Sequence, residues 1–112
     1  MPPEAVRVLL VVRDGCLRRE WAAACQALSP AVHCDEAADA ADAVFAAVPG
    51  QLDLVVLDVG ATPPPGTAWV AHWRRLAPRG QLLLLNPAQA DAAQRLCCAV
   101  RGLVERRGAG AA

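Results

Sequence analysis

The stretch Leu52-Asp53-Leu54-Val55-Val56-Leu57-Asp58 decides how this chain is read. Four consecutive apolar residues, Leu54 to Leu57, stand between two acids. A run this short and continuous suits a strand buried on both faces, as in a parallel sheet. The strand is expected over Leu52–Val59 and is the strongest in the sequence. Outward from it lie two similar runs. Val6–Val12 ends at the turn Arg13-Asp14-Gly15, and Gln81–Leu85 ends at Asn86-Pro87. Ala31–Cys34 is a weaker strand.

Helical spacing fills the intervals between the strands. Leu17, Trp21, Ala24, Cys25 and Leu28 recur every three or four residues, while Arg18, Arg19 and Glu20 fall off that stripe. Ser29-Pro30 ends this helix. The alanine-rich Asp35–Val48 reads as a second helix, stopped by Pro49-Gly50. Ala68–Leu76 reads as a third, with Trp69 and Trp73 one turn apart as packing residues. The last runs from about Gln89 to Arg107, with Leu96, Val100, Leu103 and Val104 as its stripe, followed by a loose GAGAA tail. Strand and helix therefore alternate as β-α-β-α-β-α-β-α. That rhythm implies an α/β domain: an open parallel sheet with helices on both faces.

Composition narrows the function classes. The 112 residues fit a single domain, 1–112, and 55% are hydrophobic, too many for a disordered chain. No apolar run approaches the ~20 residues of a membrane span. The opening MPPEAVRVLLVV has no basic leader, so a soluble cytoplasmic protein is expected. Eleven acids balance eleven bases, which leaves no broad positive field for nucleic acid or an anionic membrane. All the bases are arginine. No G-x-G-x-x-G, phosphate loop or nucleophile elbow is present, so nucleotide binding and hydrolase chemistry have little support; the chain is expected to act through contacts and not as an enzyme. His33 and His72 lack partners at ligand spacing.

In open parallel sheets, ligands bind beyond the carboxyl ends of the strands. Those ends carry Arg13-Asp14, Asp58 and Asn86. Asp58 would emerge at the sheet rim beside the turn that supplies Asp14. Two carboxylates meeting there can hold Mg²⁺, which prefers oxygen ligands. A carboxylate in that position can also act as a nucleophile toward phosphorus. The plainer readings are a loop-capping Asp58 and an Asp14 that serves only the Asp-Gly turn.

These residues resemble the receiver domain of two-component response regulators over roughly residues 5 to 90. VRVLLVVRDG is similar to that family's first strand and acidic turn. LDLVVLDVGATPPPG is similar to its third strand and following loop, with Gly66 eight residues after Asp58. The resemblance implies a flavodoxin-like three-layer sandwich. It implies Asp58 as phosphoacceptor, Asp14 and Asp58 as Mg²⁺ ligands, Asn86 as the switch position, and a histidine kinase or other signalling protein as partner. Departures are specific. Val12 or Arg13 stands where a second acid belongs. Asn86 replaces a hydroxyl residue, Thr62 a proline, and the family's lysine has no counterpart. Arg13 would bring positive charge to the metal's place, or pair with Asp58 there. Phosphorylation is therefore expected to be weak or absent, which leaves as the alternative a receiver-like module that binds partners or dimerises without it.

No fifth strand is evident. Without it Gln81–Leu85 becomes an apolar edge, which invites pairing with another chain. The last helix then either folds back over the bare sheet or packs on a partner, and a homodimer through Gln81–Leu85 and this helix is expected. The five cysteines (Cys16, Cys25, Cys34, Cys97 and Cys98) include no C-x-x-C pair. They read as reduced, mostly buried thiols, with a redox role for Cys97-Cys98 as the outside alternative.

Overall fold

The computed structural model describes residues 5–38, 52–58 and 81–111. Within them the elements are β1 (Val6–Val11), α1 (Gly15–Leu28), β2 (Val32–Ala37), β3 (Leu54–Asp58), β4 (Gln81–Leu85) and α2 (Ala92–Ala111). The four strands form one parallel sheet in the order β2-β1-β3-β4. The chain is thus an α/β protein built on a parallel sheet. The expected third helix, Ala68–Leu76 with Trp69, His72 and Trp73, and the loop Gly60–Gly66 lie outside the described residues. So does most of the expected second helix.

The apolar runs explain the sheet's centre. Val6, Val8, Leu10 and Val12 alternate toward α1 and α2, where they meet Leu54 and Val56 of β3. The intervening Leu9 and Val11, and Val55 and Leu57 of β3, are buried too, so both inner strands are covered on both faces. Arg7 interrupts the apolar pattern of β1, and its guanidinium lies 3.3 Å from the Asp35 carboxylate on β2.

β2 corrects the sequence reading. It extends through Asp35, Glu36 and Ala37, which were expected to open a helix. Acids have poor strand propensity, but tertiary pairing overrides it here. Leu9, Leu10 and Val11 of β1 need partners, and Asp35, Glu36 and Ala37 supply them in register. The two acids sit on an outer strand, where charge is tolerated, and each finds an arginine, Arg7 and Arg18 respectively.

α1 begins at Gly15, earlier than its apolar stripe suggests, because Asp14 caps it. The Asp14 Oδ1 accepts from the N–H of Cys16 at 2.9 Å and of Leu17 at 3.2 Å. Trp21, Ala22 and Cys25 face the sheet.

α2 starts at Ala92 rather than Gln89 and continues through Ala111, so helix replaces the loose tail expected there. Among the described residues no strand follows β4. The chain turns at residues 86–91 and enters α2, which packs against α1 and β1. Ala92, Leu96 and Val100 join the same core as Trp21 and Cys25. Of the two fates open to the last helix, the chain adopts the fold-back. Each fully buried Leu or Val contributes about 1.5–3 kcal/mol. Among the described residues, no helix is long and apolar enough to cross a membrane.

Candidate functional site at the carboxyl end of the sheet

Parallel strands send successive N–H groups to opposite neighbours. At the end of β1 the Val12 N–H goes to the carbonyl of Ala37, on the β2 side, at 3.0 Å. The next donor, the N–H of Arg13, faces β3, whose last residue is Asp58. It donates to the Asp58 Oδ2 at 3.3 Å. The carboxylate thus stands in for the next rung of the ladder. Asp58 is only 5% exposed and is the one buried polar residue among those described.

The other end of the same strand pair is built alike. The N–H of Arg7 donates to the Asp53 Oδ2 at 3.0 Å, and the Asp53 N–H returns a bond to the Arg7 carbonyl at 2.9 Å. The two acids that bracket LVVL therefore close the β1–β3 ladder at both ends. Asp53 was not singled out from the sequence. Its signal was the symmetry of the motif, one acid on each side of the apolar run.

The other candidates lie at the same rim with their polar atoms engaged locally. Asp14 follows Arg13 directly, and its Oδ1 is held by the first turn of α1. Asn86 follows Leu85, the register partner of Asp58. Its Oδ1 accepts from the Ala88 N–H at 3.0 Å, and its carbonyl accepts from the Gln89 N–H at 3.0 Å, so it shapes the turn after β4. The Arg13 side chain is exposed and makes no ion pair with Asp58. The contact between these residues runs through the backbone instead. Thr62 lies outside the described residues.

Arg18 is a rim residue that the helical pattern missed, because it was read as part of a solvated face. Its Nη1 donates to the Val12 carbonyl at 2.9 Å and its Nε to Glu36 at 3.1 Å. One side chain thereby ties α1 to the ends of β1 and β2. The expectation of mostly buried thiols is also corrected. Among the five cysteines only Cys25 is buried, while Cys16 and Cys98 are exposed. Cys97 and Cys98 are consecutive on α2, a placement that turns them to different sides of the helix.

The two carboxylates expected to hold Mg²⁺ each have one oxygen engaged by backbone donors, Asp14 through Oδ1 and Asp58 through Oδ2. A hard cation needs several oxygen ligands at one point. No group of three acids, histidines or cysteines able to hold a metal occurs among the described residues. No family model matches this chain, and no curated protein matches it either.

Proposed function

We propose that this chain is a cytoplasmic receiver-like domain of two-component signalling that works through protein contacts, on a flavodoxin-like fold. The observation that carries this reading is the place of Asp58. It ends the inner strand β3, next to the turn after β1, at the rim where such sheets bind their ligands. The strand order β2-β1-β3-β4 is compatible with that fold. The proposed partner is a histidine kinase or another signalling protein that recognises this rim.

A second reading has its own support: an interaction module that never takes a phosphoryl group. Asp58 serves β1 as Asp53 does at the opposite end, and the neighbouring acid is a helix cap. Under this reading the chain pairs with a second copy through Gln81–Leu85. β4 is the outer strand, with Leu82 40% and Leu84 53% exposed. The apolar stripe of α2 contributes less to such a dimer than its sequence suggests, since Leu96 and Val100 are buried within the chain's own core.

Incubation with a small acyl phosphate and Mg²⁺, followed by intact mass with and without Asp58→Asn, separates the readings. The expected result is no Asp58-dependent adduct. A phosphoryl adduct lost in the variant would overturn the second reading and restore the switch. Binding to a histidine-kinase phosphotransfer domain, measured by calorimetry, tests the shared claim. Absence of both the adduct and any binding across a panel of such domains would remove the signalling assignment altogether.

A further inference from the structure

The fold brings together two cysteines that the sequence keeps apart. Cys25 lies on the face of α1 that enters the core and is fully buried. Cys34 lies on β2, its side chain turned toward the same core and partly exposed. The Cys34 Sγ is 3.9 Å from the carbonyl oxygen of Ala22, which precedes Cys25 by one helical turn. Residues so spaced share one side of a helix, so both sulfurs occupy the seam between α1 and β2. There the Cys34 thiol donates to the Ala22 carbonyl, Cys34 packs against the core cluster that contains Cys25, and the two thiols are near enough to shift each other's ionisation.

The seam makes the two sulfurs unequal. The neighbouring Cys34 thiol, followed by burial, pushes the Cys25 thiol up, so it keeps its proton. The neighbouring Cys25 thiol holds the Cys34 thiol below its ordinary value, although burial and the charges of Asp35 and Glu36 act the other way. A partly exposed sulfur backed by a fully buried one is the arrangement that thiol–disulfide exchange requires, the outer sulfur meeting the reagent and the inner one resolving the mixed disulfide.

We propose that Cys34 and Cys25 form a dithiol site for small-molecule disulfides, with Cys34 as the attacking sulfur and Cys25 as the resolving one. The Cys34 thiolate attacks one sulfur of R–S–S–R. That S–S bond breaks, and the first RS⁻ leaves and takes up a proton from water. Cys25 then gives its proton to solvent and attacks the Cys34 sulfur, and the second RS⁻ leaves and is protonated. Two electrons pass from the protein dithiol to the disulfide, giving one Cys25–Cys34 bond and two RSH. The product staples α1 to β2. Cys97, whose charge also reaches Cys25, is the competing resolving group.

The test uses the full chain carrying Cys16→Ser and Cys98→Ser, which removes the two exposed thiols. It is incubated with oxidised glutathione, free thiols are blocked with iodoacetamide, and it is digested with trypsin without reduction. Arginine spacing places Cys25 and Cys34 alone together in the peptide Glu20–Arg74. The expected result is that this peptide loses two hydrogens and takes no blocking group, while Cys97 is alkylated. Adding Cys25→Ala should leave glutathione trapped on Cys34. Circular dichroism checks that variant's fold, and if it is unfolded the parent's peptide map decides alone. A Cys25–Cys97 cross-link, glutathione left unresolved on Cys34 in the parent, or two alkylated thiols in Glu20–Arg74 would each overturn the proposal.

Discussion

Arg13 and Asp58, at the ends of two adjacent parallel strands, are joined by a backbone N–H donating to a side-chain carboxylate at 3.3 Å. The bond is long for one to a charged acceptor, which is ordinarily about 2.7–2.9 Å. Its counterpart at the opposite end, Arg7 to Asp53, is shorter at 3.0 Å. Both have the same origin: a strand that runs one donor past its neighbour's backbone needs an acceptor, and an acid at the neighbour's end supplies it.

Removing that acceptor should cost stability. Asp58→Ala leaves the Arg13 donor at the rim unmatched and is expected to lower unfolding free energy by about 1–2 kcal/mol, the lower part of the range for a lost partner because the bond is long. Asp58→Asn retains an oxygen and should cost less. Urea denaturation of the three proteins measures this. An Asn variant no more stable than the Ala variant would show that the oxygen contributes nothing.

Asp14 is expected to behave as a helix cap. Asp14→Ala should destabilise by about 1 kcal/mol, and Asp14→Ser should recover most of it. Millimolar Mg²⁺ should leave the melting temperature of the parent unchanged. A rise on adding Mg²⁺ that disappears in Asp14→Ser would identify a metal ligand instead.

The leucines of β4 and α2 should separate folding from association. Leu96 is fully buried, and Leu96→Ala is expected to cost about 2–5 kcal/mol. Leu84 is 53% exposed, and Leu84→Lys should change stability by no more than about 0.5 kcal/mol. Sedimentation equilibrium should show that the same substitution weakens self-association. A dimer unaffected by Leu84→Lys and Leu82→Lys would place the contact elsewhere.

Thiol reactivity should follow the asymmetry between Cys25 and Cys34. Alkylation proceeds through the thiolate, so the rate at Cys34 should reach half its maximum at a pH below the ordinary thiol value of 9.0. Cys25→Ala removes the neighbouring thiol and should move that midpoint upward. Cys25 itself should stay unmodified across the range, its thiol being pushed the opposite way. Peptide mass spectrometry after timed iodoacetamide pulses reads both sites. An unchanged midpoint in Cys25→Ala would mean that the pair is not coupled.

Much of the sheet is legible in the sequence because its inner strands are continuous apolar runs, a pattern no exposed segment shares. Val6–Val11, Leu54–Asp58 and Gln81–Leu85 lie within the expected spans. β2 was half missed, since Asp35 and Glu36 become strand residues only through pairing with β1 and through Arg7 and Arg18, and no local pattern carries that. The fate of α2 was open for a related reason: a stripe of Leu96 and Val100 looks the same whether it meets its own sheet or another chain. At the site, the rim acids could be named from strand ends alone. The backbone bond that holds Asp58, the capping by Asp14 and the meeting of Cys25 with Cys34 depend on how separate segments pack.

The most direct measurement is amide hydrogen exchange at Arg13, followed by two-dimensional NMR of ¹⁵N-labelled protein. The Arg13 N–H is expected to be protected in the parent, to lose protection in Asp58→Ala, and to keep its resonance position when Mg²⁺ is added. An Arg13 amide that exchanges at the unprotected rate in the parent would contradict it, because Asp58 would then not be held against the turn that follows β1.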